Sequence, residues 1–240
     1  MARRQQSRGT CAYCGAEYTR AGMSKHLAKC AARSAVIEEA EQGRGQAQTL
    51  YHLEVRDAYH GYFWLHLEMR GKSPLEALDE YLRAIWLECC GHLSAFEISP
   101  YRYTQIFESG WQEGDERSLK TQVGKVFRPG MTIPYEYDFG STTELRIKVA
   151  GLREGKPTTG RSIALMARNS FEPPPCALCG KPAAWICLDC LYERDEDVAY
   201  VCEEHTAEHE GHDSYGGFMG IHNSPRTGVC AYDGPAEPPY

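Results

Sequence analysis

The chain has 240 residues, 42% of them apolar and 25% charged, which admits a folded core and excludes wholesale disorder. The basic start MARRQQSRGTC lacks the apolar stretch of a secretory signal, and no apolar run approaches the roughly 18–20 residues that span a bilayer. A soluble, cytoplasmic protein is expected, and in that reducing compartment the eleven cysteines point to metal ions in preference to disulfides. The formal net charge of −7 is unevenly spread: residues 1–34 hold Arg3, Arg4, Arg8, Arg20, Lys25, Lys29 and Arg33 against Glu17, leaving −13 for the remainder. Such asymmetry implies different partners for the two ends, or a solvated basic tail at one of them.

Along the chain, CAYCGAEYTRAGMSKHLAKC comes first, with Cys11, Cys14, His26 and Cys30 at C-x2-C-x11-H-x3-C. This resembles a small zinc finger in its Cys-Cys-His-Cys variant. The cysteine pair is expected on a knuckle or short hairpin, and His26 and Cys30, four apart, on one face of a helix. Tyr18 and Met23 would form the small apolar core. So little apolar surface cannot fold residues 1–34 alone, whereas metal binding supplies on the order of 10–16 kcal/mol. Arg20, Lys25 and Lys29 make weak nucleic-acid contact one expectation, salt-dependent and largely indifferent to sequence. A lone finger reads only about three base pairs, and protein binding is the other expectation.

Residues 35–48 read as a helical tail running into a Gly/Gln linker. TLYHLEVR then alternates, with Tyr51, Leu53 and Val55 on one face of a strand. YFWLHLEMR repeats the pattern with Phe63, Leu65, Leu67 and Met69. GKSPLEALDEYLRAIWLECC changes to a helical period: Ser73 can cap, Pro74 fits the first turn and Glu76 completes a capping box. Leu75, Leu78, Leu82, Ile85 and Cys89 fall on one stripe, with Gly91 as terminator. HLSAFEI is a strand. IPYEYDFG and TTELRIKVA make a hairpin around Gly140 and Ser141, with Tyr135, Tyr137 and Phe139 facing Leu145, Ile147 and Val149. RSIALMAR is a last strand. The fold class predicted for 49–172 is α+β, a mixed or antiparallel sheet with one principal helix, flanked by small zinc-stabilised modules.

The leucine-rich helix, HLSAFEI and YEYDFG resemble the plasmid pRiA4b ORF-3-like family over roughly residues 49–150. Its members include passenger proteins of bacterial insertion sequences, so the resemblance implies a bacterial plasmid or mobile-element origin. The family's YDFG commonly continues with an acidic residue, a tryptophan and a histidine, where STTEL stands here; no role of those residues carries over. SPRTGVC (224–230) looks like a stretch found in zinc-bearing relatives.

After the stiff PPP at 173–175 come CALC (Cys176, Cys179), CLDC (Cys187, Cys190) and CEEHTAEHEGH (Cys202, His205, His209, His212). Eight ligands in four pairs fit two closed structural zinc sites, with no position left open for catalysis. The spacing of 176–212 resembles a B-box. That resemblance implies cross-bracing, with Cys176, Cys179, Cys202 and His205 on one ion and Cys187, Cys190, His209 and His212 on the other. A thioredoxin-like redox pair lacks its βαβ context, and an iron–sulfur cluster prefers four cysteines at other spacings. Nine Asp/Glu against two Lys/Arg between Cys176 and His212 would repel phosphate backbones, so a protein partner is expected there. Asp213–Tyr240 reads as a Gly/Pro-rich tail.

No phosphate-binding loop, G-x-S-x-G elbow or H-E-x-x-H is present. His92 and Asp138 could meet across the sheet, although a hydrogen bond beside the core is the plainer reading. Cys89 and Cys90 read as buried thiols and Cys230 as spare. The expectation is a non-enzymatic accessory or adaptor protein with three zinc ions and no catalytic or small-molecule site. A nucleic-acid accessory factor and an enzyme using His92 and Asp138 are the alternatives.

Overall fold

The computed structural model describes residues 7–105, 114–193, 196–209 and 211–236. Arg3 and Arg4 lie outside them, as does the end of the tail. Among the described residues no helix is long and apolar enough to cross a membrane. The chain divides into two compact units, Met1–Leu82 with Leu93–Ser170, and Arg83–His92 with Phe171–Tyr240.

The first unit opens with strands β1 (Arg8–Cys11) and β2 (Glu17–Thr19), then helices α1 (Arg20–Leu27) and α2 (Ala31–Gln42). Next come β3 (Gln48–Asp57), β4 (Trp64–Arg70), α3 (Leu75–Leu82), β5 (Ser94–Ile98), β6 (Tyr101–Thr104) and β7 (Glu116–Ser118). A single-turn α4 (Val123–Val126) leads to β8 (Thr132–Tyr137), β9 (Thr143–Gly155) and β10 (Ile163–Asn169). Ten strands form one sheet in the order β2-β1-β10-β4-β3-β9-β8-β5-β6-β7. Its pairs are antiparallel except β6 with β7. The unit is α+β, as the alternating strands and single leucine-rich helix predict.

Register explains the core. Tyr51, Leu53 and Val55 stand opposite Met69, Leu67 and Leu65 on β4, and Leu53 and Val55 stand opposite Val149 and Ile147 on β9. Tyr135 faces Leu145, and all of these are buried. One-sided alternation fails on β4, where Trp64, His66 and Glu68 are as buried as Leu65, Leu67 and Met69. The other face of β4 is covered by the N-terminal segment: Met23, Leu27, Cys11 and Cys30 cluster with Trp64, Met166 and Ala167. Phe139 departs from the hairpin expectation too. Its strand has ended at Tyr137, and the ring is exposed with the Arg102 guanidinium 4.6 Å from its centroid.

The second unit begins with a π-helical segment, Arg83–Leu87, so the regular helix stops before reaching Cys89. It continues with β11 (Trp185–Cys187), α5 (Leu188–Glu193), α6 (Glu196–Ala199), β12 (Tyr200–Val201), a 3-10 segment Glu203–His209 and β13 (Phe218–Gly220). The three strands form a sheet in the order β12-β11-β13. Asp189, buried in the first turn of α5, accepts from the N–H groups of Ser214 and Tyr215 and fixes the chain after the histidines.

Candidate metal centres

Among the described residues, four groups of Cys and His side chains come together, each with its four possible ligand atoms within 4.8 Å of one another. Zinc bonds of about 2.3 Å to sulfur and 2.0–2.1 Å to nitrogen in a tetrahedron give edges of about 3.8 Å for S–S and about 3.6 Å for S–N. The contacts in all four groups fall near those edges. A disulfide would need about 2.05 Å, and none of the eleven cysteines forms one.

In the first group, Cys11 ends β1 and its N–H and C=O are pinned to Ala16 O and Gly15 N, which turns CAYCG back on itself. Gly15 takes φ +72°, a left-handed position that suits glycine. Thr19 caps α1 by accepting from Gly22 N, and α1 delivers His26, whose Nε2 lies 3.3 Å from Cys14 Sγ. His26 and Cys30 do not share a helix face. The helix ends at Leu27, and Cys30 is the N-cap of α2. Burial opposes ionisation of Cys30, but the N–H groups of Arg33 and Ala32 at that helix start, with Cys14 and Cys11, hold its thiol below the usual range. Tyr18 also differs from expectation: it is exposed and stacks on His26, with centroids 4.4 Å apart.

The second group repeats the same knuckle. Cys176 N donates to Lys181 O, Gly180 N donates to Cys176 O, and Gly180 takes φ +75°. Cys179 Sγ is 3.8 Å from Cys202 Sγ, and His205 Nδ1 is 3.5 Å from Cys176 and 3.3 Å from Cys202. Burial resists the Cys176 thiolate, yet N–H groups of Cys202, Leu178 and Cys179 and the His205 ring bring the thiol down to about 6. The third group takes Cys187 from the end of β11, Cys190 from α5 and His209 from the 3-10 segment. His212 Nδ1 lies 3.5 Å from both sulfurs and His209 Nδ1 3.4 Å from Cys190. First pair meets third and second meets fourth, a cross-braced arrangement.

The fourth group, Cys89, Cys90, His92 and Cys230, departs from the expectation of two buried thiols and a spare cysteine: Cys89 is half-buried, Cys90 is exposed, and Cys230 meets them. His92 Nε2 lies 3.4 Å from Cys230 Sγ. Asp138, at φ 65°, accepts from Gly140 N and Ser141 N and closes its own turn. The signal that could have exposed the group was arithmetic. Three cysteines were left over, and CCGH already holds two of them beside a histidine.

Of the basic residues considered for nucleic acid, Arg20 is bound to Glu54 at 2.8 Å, while Lys25 and Lys29 are exposed. Beside the third group lies a concavity of about 770 Å³, with half-buried Trp185 and Phe218 and, from the 3-10 segment, Thr206 and Ala207; Glu203 and Asp213 add acid to its lining.

The family model for plasmid pRiA4b ORF-3-like proteins matches residues 52–184. Among solved structures, the crystal structure of a protein of unknown function from Methanosarcina mazei Go1 is similar at 17% identity and a TM-score of 0.42, covering 50% of this chain and 68% of that one. No functionally curated protein matches.

Proposed function

We propose, given that the chain belongs to the plasmid pRiA4b ORF-3-like family, that it is a non-enzymatic zinc-binding accessory protein whose acidic C-terminal unit holds a protein partner. The observation that carries this reading is the concavity beside Cys187, Cys190, His209 and His212. Aromatic side chains with acid around them suit a peptide segment with an apolar anchor and basic flanks. The neighbouring cluster offers four ligand atoms, a full tetrahedron for a structural ion, with no position left for a substrate. Zinc, when bound, would supply folding free energy to this unit, where Cys187, Cys190 and Ala199 form one small cluster packed by Leu191 and Phe218. Plasmid or mobile-element origin and a reducing cytoplasm, where eleven thiols stay available as ligands, belong to the same reading.

The test compares full-length protein with a Glu203→Lys, Asp213→Lys double variant, both zinc-loaded, in binding to arrays of basic-apolar and acidic peptides. Selective binding to the basic-apolar set, at least tenfold weaker in the variant, supports the proposal; equal binding by both proteins refutes it. The nucleic-acid reading rests on exposed Lys25 and Lys29, but Arg20 and Arg33 are engaged by Glu54 and Glu68. A salt-dependent titration against duplex DNA that loses its slope in a Lys25→Glu, Lys29→Glu variant would favour it instead.

A further inference from the structure

Cys89, Cys90 and His92 lie in the chain between α3 and β5, and Cys230 follows 138 residues after His92. Both pieces are held in place by contacts of their own. Glu88 accepts from Gly91 N through one carboxylate oxygen and pairs with Arg83 through the other. Arg83 also donates to His92 O. Gly91 takes φ +72°, which lets CCGH fold into a tight turn. From the other side, Ser224 Oγ donates to Trp86 O at 2.6 Å and accepts from Arg226 N at 2.9 Å. Thr227 Oγ1 bonds both backbone groups of His222, and Val229 N returns to Arg226 O. SPRTGVC is thus a built loop that ends by presenting Cys230.

We propose that Cys89, Cys90, His92 and Cys230 form a fourth zinc site, which fastens the C-terminal loop to residues 83–92. Three observations carry it. The Cys90–Cys230 sulfurs are 3.7 Å apart and His92 Nε2 is 3.4 Å from Cys230 Sγ, close to tetrahedral zinc edges of about 3.8 and 3.6 Å. The four clusters together use all eleven cysteines of the chain, whereas three clusters leave three thiols idle. Arg226 is fully buried, and its Nη2 donates to Cys89 Sγ at 3.5 Å. A zinc ion held by three thiolates and one neutral imidazole carries a net −1, which complements the guanidinium charge placed against Cys89.

This site differs from the other three in shielding. Cys90 and Cys230 are both exposed, whereas each other cluster buries at least two of its ligands. Its ion is therefore the first that a chelator reaches. The choice of zinc rests on the reading of the other clusters, but the site's existence does not.

Elemental analysis of full-length protein purified under reductant is expected to give four zinc ions per chain, and three for Cys230→Ser and for His92→Ala. Limited chelation of the wild type should release one ion ahead of the rest. Adding Co2+ at that stage should restore the thiolate-to-cobalt charge-transfer band in wild type and not in Cys230→Ser. Three ions in wild type, unchanged in both variants, would overturn the fourth site while leaving the other three intact. A Cys90–Cys230 disulfide found by peptide mapping of the same sample would also overturn it. Absence of all metal would fail the zinc reading of every cluster, a distinguishable result. Should either variant fail to fold, the wild-type stoichiometry and stepwise release still decide.

Discussion

Glu68→Gln is the perturbation that most sharply tests how the N-terminal segment is joined to the sheet. The Glu68 side chain, only 5% exposed, receives Arg153 through Nε at 2.9 Å and Nη2 at 2.7 Å, and Arg33 through Nη2 at 3.2 Å. Arg33 comes from α2 and also donates to Leu27 O at the end of α1, while Arg153 comes from β9. One carboxylate on β4 therefore holds helix α2 and strand β9 together. Glutamine keeps the shape and removes the charge, so largely buried Arg33 loses its anion and Arg153 keeps only Glu41 at 3.8 Å. Breaking a buried pair by one partner costs about 3–5 kcal/mol. At roughly 2–4 °C per kcal/mol for a chain of this size, the melting temperature should fall by about 6–20 °C. Circular dichroism of zinc-loaded protein, followed against scan rate, measures it. Replacing Arg33, Glu68 and Arg153 together by leucine should cost less than Glu68→Gln alone, since no uncompensated charge remains. A Glu68→Gln melting temperature within about 2 °C of wild type would refute the reasoning, because it would mean that the cluster is solvated in solution.

Replacing His209 and His212 together by alanine should remove one ion and abolish amide protection around Cys187, Cys190 and β13, while Leu53, Val55 and Ile147 keep theirs; metal analysis and hydrogen exchange report the two effects. Gly15→Ala and Gly180→Ala place a side chain at φ +72° and +75° with open space around it, so each should cost only the backbone penalty of about 1–2 kcal/mol. Zinc competition titrations read that as a weaker first or second site. His52 and His66, whose Nε2 and Nδ1 are 2.9 Å apart, are driven by burial first, and for His66 next by the charge of His52, to about 4 and about 3. The unfolded chain takes up these protons first, so their stabilising share is complete above about pH 6.5 and is lost as pH falls toward 4 and then 3. Imidazole NMR signals should show both rings still neutral at pH 5, and titration of either near 6.5 would contradict it.

The two-residue gaps of CAYC, CALC and CLDC are local geometry, so candidate sets one to three could be read directly: CAYCG and CALCG turn on their own residues and a glycine, and CLDC runs from a strand end into a helix. Strands β3 and β9 were legible for the same reason, each showing period-two alternation against one buried face. What local pattern could not show was coverage from far away. Trp64, His66 and Glu68 look outward in sequence because nothing within YFWLHLEMR reveals that Met23 and Leu27 will pack on Trp64 or that Arg33 will reach Glu68. Phe139 continues the alternation of YEYDFG after the strand itself has stopped. Cys30 keeps helical spacing from His26, yet the helix ends between them and a second helix starts. Cys230 stands too far from CCGH for any spacing rule, and only the folded loop brings it there.

The splitting of the second unit into residues 83–92 and 171–240 bears on how such a protein can be cut or inherited. A fragment starting at Phe171 would carry Cys230 without its three co-ligands and Ser224 without the carbonyl of Trp86. Conversely, the family's helix–HLxxF region cannot be transplanted alone without stranding CCGH. Gene fusion or domain shuffling at the proline run would therefore leave both products incomplete, so the C-terminal half must travel with the middle of the chain.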